Sequence, residues 1–383
     1  MALLRLMVIA CISACAAACA VDEDCALNGQ CLPSGVCLCN PGWTGAACGQ
    51  LRLAPATATN GYNVPGTSSW GGAPVYDRQS STYHMYLAEF VEHCGLQAWH
   101  LNSRIVHAVS QSPIGPYAFV EEVVPVYSHN PSVAVTANGT GLILMHIGGG
   151  LPDGPPLRCR NGSSQTNYSS PSAQPLPAGS AQAAASIGTL CSATLAGPWQ
   201  DCGWSGAAAP HSFTNPTLWV LRNGSIAVGG NSNYSLGWTM GSNCSSFLCR
   251  AWSNATFKTP GRTGEDPWIF QDKNDYFHAL FHDMQPDLPA GRHAYSRTGV
   301  DWTLTAELAY TGSVLFEDGS TVAFSKRERP HLLLDPDTRA PLALVTGVMQ
   351  HPESVDDHCW SVANGVVDWL WLPICPPPPF FLY

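Results

Sequence analysis

The chain has 383 residues, of which only 11% are charged, and it carries a formal net charge of −10. Nucleic-acid binding needs clustered lysine and arginine, which 17 basic residues over this length do not supply. Sixteen cysteines exclude a reduced cytosolic chain once a secretory leader stands before them.

Residues 1–16 read as that leader. Arg5 precedes an apolar run and then small residues, in a stretch too short to cross a bilayer as a stable helix. Cleavage after Ala16 or after Ala20 satisfies the small-residue rule, and only the earlier cut retains Cys19. No later stretch reaches about eighteen apolar residues, so no transmembrane anchor is expected and the protein reads as secreted and extracellular. Acceptor triplets at Asn138, Asn161, Asn167, Asn223, Asn233, Asn243 and Asn254 mark a glycoprotein.

Residues 17–50 hold a dense cysteine pattern: Cys25, Cys31, Cys37-Leu38-Cys39, then Gly42-Trp43-Thr44-Gly45 ahead of Cys48. This resembles an EGF-like module. The resemblance implies bridges Cys19–Cys31, Cys25–Cys37 and Cys39–Cys48. About thirty residues cannot bury a sufficient core, so the bridges would hold such a fold. Asp22, Glu23 and Asp24 do not complete a calcium pattern, and the module reads as a spacer or adhesion unit.

Residues 52–383 repeat one shape five times: a proline-led apolar run, a turn, and a second apolar run. The units start at Gly72-Ala73-Pro74, His129-Asn130-Pro131, Thr214-Asn215-Pro216, Glu265-Asp266-Pro267 and Glu328-Arg329-Pro330. Asn138-Gly139, Asn223-Gly224 and the Asp/Asn cluster at 273–275 supply hairpin turns. Gly115-Pro116-Tyr117 and Gly197-Pro198-Trp199 close third strands in two units. A Ser/Ala/Pro/Gln-rich stretch near 161–185 reads as an exposed loop. The expected architecture is all-β, a five-bladed β-propeller behind a disulfide-rich EGF-like module.

These repeats resemble the five-bladed propeller of glycoside hydrolase family 43 and its furanosidase relatives. That family places an Asp base on the first blade, an acid-tuning Asp on a middle blade and a Glu acid on a later one. Hydrolysis needs two carboxyls flanking the glycosidic oxygen and the attacking water, one of them protonated. Glu265 falls where the resemblance puts the acid. Asn130 and Asn215 stand at the middle positions and cannot titrate. Gly72-Ala73 stands where the first-blade acid is expected. Asp266, Glu89 and Glu328 are the candidate substitutes, with Glu92 a further acid nearby.

Sugar-binding candidates are Trp70, His93, Arg104, His107, His129, Asn130, His146, Asn215, His282, Arg292 and Arg329, with Trp99, Trp219 and Trp268 suited to stacking. No His-x-His pair is present, and no metal or cofactor is assigned. Gly-x-Ser-x-Gly, phosphate-loop and dinucleotide fingerprints are absent as well. Eight cysteines remain outside the EGF-like module. Cys191–Cys202, Cys244–Cys249 and Cys359–Cys375 are plausible local pairs that leave Cys94–Cys159, and spacing does not decide the pairing. Two functions compete: a secreted glycosidase acting on furanosides or pentose-containing glycans, and a non-catalytic carbohydrate-binding or adhesion protein. In both the partner is a carbohydrate or a glycoprotein.

Overall fold

A computed structural model describes residues 19–367 apart from 137–138, 140, 149–155, 164–186, 203–213, 233–234, 246–247, 253–263 and 285–288. The expected leader, Cys375, the side chains of Cys244 and Cys249, and most of the 161–185 stretch lie outside the described residues. Of the sequons, Asn161 and Asn223 are described and exposed. Among the described residues no helix is long and apolar enough to cross a membrane.

The EGF-like module forms two small hairpins, β1 (Gly29–Cys31) with β2 (Cys37–Cys39) and β3 (Trp43–Thr44) with β4 (Gln50–Leu51). Its bridges are Cys19–Cys31, Cys25–Cys37 and Cys39–Cys48. Four antiparallel sheets of four strands follow. The first joins β5 (Ser69–Asp77), β6 (Thr82–Phe90), β7 (Ser103–Ser110) and β8 (Ala118–Val124). The second joins β9 (His129–Val135), β10 (Leu142–Ile147), β11 (Ile187–Ser192) and β12 (Gln200–Asp201). The third joins β13 (Thr214–Val220), β14 (Ile226–Ser232), β15 (Ser235–Ser245) and β16 (Leu248–Trp252). The fourth joins β17 (Gly264–Gln271), β18 (Phe277–Asp283), β19 (Gly291–Ser296) and β20 (Thr303–Tyr310).

A hairpin of β21 (Ser313–Leu315) and β22 (Thr321–Ala323) leads to the last sheet, β23 (Lys326–Leu334), β24 (Pro341–Met349) and β25 (Cys359–Gly365). The expected count of five blades is therefore corrected. Four blades are complete, and the fifth repeat builds a three-stranded sheet. Single bridges from Leu53 to Val366 and from Tyr62 to Ser361 tie the segment after the EGF-like module onto that sheet's edge.

The innermost strands β5, β9, β13, β17 and β23 touch their neighbours in cyclic order, with β23 returning to β5. Apolar layers fill the wedges between sheets, such as Ile143 and Met145 against Leu218 and Val228, or Leu87 and Val106 against Val345. Each fully buried side chain of this size stabilises by about 1.5–3 kcal/mol, which favours closing the ring over leaving sheets splayed. Bridges Cys94–Cys159 and Cys191–Cys202 form as the remaining pairs suggested. Cys244 and Cys249 stand opposite one another in the β15–β16 register.

The EGF-like module does not hang free as a spacer. Trp43 is buried with its ring 4.9 Å from that of His293 on β19. The Glu307 carboxylate accepts the amides of Ala46 at 2.8 Å and Gly49 at 3.0 Å. Tyr295 donates to the Glu23 carbonyl at 2.7 Å, and Arg297 pairs with the Glu23 carboxylate. Cys19, Cys25 and Cys48 thereby join one apolar cluster with Trp268 and Phe270 of the propeller.

Candidate functional site

Every innermost strand breaks its ladder near its start. The register shifts fall after Trp70, Thr214, Glu265 and Glu328, and opposite Met145–Ile147 for β9. At each break one residue takes the left-handed conformation: Gly71 (φ 61), Asn130 (φ 49), Asn215 (φ 53), Asp266 (φ 54) and Arg329 (φ 58). In four repeats a proline follows, its missing N–H harmless because the bulge takes it out of the ladder. In the first repeat Gly72 fills that place, while Pro74 pairs in register with Met85 two residues later. The first-blade position is therefore Gly71, not the Gly72-Ala73 expected from the proline.

Gly71 has a steric cause. A Cβ there would meet Cγ of Arg329 at 2.5 Å. Arg329 is 1% exposed, and its Nη2 donates at 2.9 Å to the carbonyls of both Asn130 and Pro216, while Nη1 lies 3.5 Å from Asp266. One side chain thus joins blades two, three and four from the fifth sheet and fills the room beside the first. A first-blade carboxylate has no space, and Arg329 is a central pin rather than the sugar contact expected of it.

Around this pin the strand starts gather an acidic cluster. Asn130 donates to Asn215 Oδ1 at 2.7 Å, and Asn215 donates to Glu265 Oε1 at 3.0 Å. Glu328 stands 3.1 Å from Lys326 Nζ and 3.7 Å from His282 Nε2, and Lys326 also pairs with Glu353 at 3.1 Å. Burial, then the charges of Asp266 and Glu328, push the Glu265 carboxyl up to about 8, against weaker opposing pulls from Lys326 and Asn215. Burial also pushes Asp266 up, and Arg329 pulls it partly back. Glu265 is half-buried, whereas Asp266, Glu328 and His282 are buried, so Glu265 is the carboxyl among them that reaches solvent. A half-buried carboxyl that keeps its proton near neutral pH can donate it to a leaving oxygen.

Asp266, His282 and Glu328 also place donor atoms within 4.8 Å of one another, a spacing that suits a cation. Lys326 and Arg329 already put positive charge on two of the three.

The remaining candidates do not join this cluster. Glu89 accepts from Tyr62 and Arg104, and Arg104 also reaches Glu122 at 3.0 Å. His107 bonds His84, and His129 bonds Ser103 beside Trp99. His146 bonds the Ile147 carbonyl at 3.0 Å, and Arg292 pairs with Asp283 at 2.8 Å. Trp70 is core, against Gly347, so it presents no face to a sugar. His93 is exposed and bonds the Gly66 carbonyl. Sequence reasoning missed Lys326. The signal was its place two residues before Glu328, which puts both on one face of a strand.

A family model described as a Teneurin-like EGF domain matches residues 21–50. None of the curated proteins matches the chain. Among solved structures, an α-L-arabinofuranosidase from Podospora anserina, in complex with cellotriose, is 10% identical with a TM-score of 0.52, over 85% of this chain and 96% of that one. The catalytic domain of an α-L-arabinofuranosidase of glycoside hydrolase family 62 from Coprinopsis cinerea is 10% identical with a TM-score of 0.51, over 79% and 98%. A thermostable family-43 glycoside hydrolase is 11% identical with a TM-score of 0.50, over 82% and 91%. At such identities the likeness is one of fold alone, a β-propeller like those of these glycoside hydrolases.

Proposed function

We propose that the mouth formed by the strand starts binds a furanoside or pentose-containing glycan outside the cell and hydrolyses it, with Glu265 as general acid. The observation that carries this reading is the raised Glu265 carboxyl within an acidic cluster at the mouth of a glycosidase-type propeller. Glu265 would protonate the leaving glycosidic oxygen. Glu328, paired with Lys326, is the second carboxylate and would act on the opposite side of the bond, with His282 beside it. Asn215 holds Glu265 in place through one hydrogen bond. The disulfides and sequons suit an oxidising, extracellular setting.

A second reading, glycan binding without cleavage, is favoured by Gly71, Asn130 and Asn215, which leave three of the five equivalent positions without a titratable group. The two separate on one assay. Aryl α-L-arabinofuranosides, xylosides and plant or algal polysaccharides are screened for turnover and binding with the intact chain and its Glu265→Gln variant. The hydrolytic reading expects turnover that falls about 10²–10⁴-fold in the variant. Binding without turnover on every substrate would leave only the second reading.

A further inference from the structure

A second opening lies at the other end of the same axis, where the innermost strands finish. It encloses about 1060 Å³ and takes its walls from the later halves of β5, β9, β13 and β23. About half of the lining is aliphatic, Tyr76 and Trp219 are aromatic walls, and Asp77, Arg78, Thr82, Arg222 and His331 are among its polar and charged residues.

One polar group is His84. Its Nδ1 lies 2.8 Å from His107 Nε2, and His107 Nδ1 lies 3.2 Å from the Glu121 carboxylate. A carboxylate only accepts, so His107 Nδ1 carries hydrogen and its Nε2 is a lone pair. His84 must then donate through Nδ1, which leaves its own Nε2 as an acceptor on the residue that lines the cavity. A second is Arg339, half-buried on the turn after β23, with its guanidinium 5.3 Å above the Trp219 ring. The two further arginines on this rim have carboxylate partners, Arg78 with Asp337 at 2.6 Å and Arg222 with Asp275 at 3.2 Å. Arg339 has none within ion-pair distance among the described residues.

We propose that this cavity is a second saccharide site that selects a sugar unit bearing an anionic group, a carboxylate or a sulfate ester. Arg339 takes the anion, His84 Nε2 accepts a hydroxyl hydrogen, and the aromatic walls meet the apolar face of the ring. An alkyl ligand would leave His84 and Arg339 desolvated without partners, a cost that a hydroxylated anion avoids. The assignment uses none of the acidic cluster, so it stands or falls separately from hydrolysis.

The test titrates the intact chain with oligogalacturonate, with carrageenan oligosaccharide and with neutral xylo-oligosaccharide, by calorimetry and tryptophan fluorescence. The expected result is binding of at least one anionic oligomer that tightens as salt falls, with weaker response to the neutral one. The pattern of the two anionic arms tells carboxylate from sulfate. Arg339→Gln weakens that binding about 10- to 100-fold, Arg339→Lys restores part of it, and Glu265→Gln leaves it unchanged. The proposal is overturned if neither anionic oligomer binds, if Arg339→Gln binds like the native chain, or if Glu265→Gln abolishes binding.

Discussion

Replacing Arg329 with methionine tests whether the propeller is held at its axis by one side chain. Methionine keeps much of the stem volume beside Gly71 and removes every donor. The carbonyls of Asn130 and Pro216 lose bonds of 2.9 Å each, at about 1–3 kcal/mol apiece when left buried without a partner. Asp266 loses its cation at 3.5 Å, and breaking a buried pair on one side costs about 3–5 kcal/mol. Asp266 recovers part of that by taking up a proton, since burial already pushes its carboxyl up. The expected loss is roughly 4–6 kcal/mol, a large share of the 5–15 kcal/mol typical of folded domains. Urea unfolding of the oxidised protein measures it, with an unchanged m-value showing that only stability moved. Adding Asp266→Asn is expected to return about 1–3 kcal/mol, because the two residues share one interaction. A loss under about 1 kcal/mol for Arg329→Met would refute the central pin.

Trp43→Ala removes a buried ring that stacks 4.9 Å from His293. It should cost about 3–5 kcal/mol and release the EGF-like module, read as faster proteolysis within residues 19–52; unchanged cleavage would contradict a docked module. Acid should destabilise the fold early. Burial lowers His129 to about 3 and His84 to about 4, and lowers His146, His293 and His331 as well. The unfolded chain takes up protons from about pH 6.5 downward while these buried rings do not, so stability falls below that pH, by about 2 kcal/mol at pH 5 for His129 alone. Glu265 acts in the opposite direction. Its raised carboxyl contributes stability fully present below about pH 4.5 and lost as pH rises towards 8, so Glu265→Gln should flatten the alkaline limb. In the Glu265→Gln background, which removes that opposing contribution, equal denaturation midpoints at pH 7 and pH 5 would show that the histidines are not buried neutral.

Local chemistry was legible where it recurs. The Asn223-Gly224 turn forms with Gly224 at φ 81, and the two Gly-Pro-aromatic turns adopt the same cis Gly-Pro form. Proline marked the inner strands in four repeats because each bulge frees the residue that lacks an N–H. The same cue misled in the first repeat, where Gly71-Gly72 makes the bulge and Pro74 sits within the ladder. The missing first-blade acid was visible, but its cause was not, because Arg329 lies more than 250 residues away in sequence. The fifth repeat showed one proline-led hairpin like the others, and nothing local marked that its sheet stops at three strands. The docked EGF-like module was equally hidden, since Trp43, Glu23, His293 and Glu307 carry no shared local pattern.

Glu265 supports both the hydrolytic reading and the alkaline limb, so its own titration is the most direct measurement. Carbon-13 labelling of glutamate side chains, with Glu265→Gln to assign the resonance, follows that carboxyl from pH 3 to pH 10. The structure predicts a midpoint near 8, shared with Asp266 as a linked pair, so that Glu265 remains mostly protonated at pH 7. A midpoint near 4.5 would mean that Glu265 is an ordinary carboxylate at neutral pH and not the acid of this site.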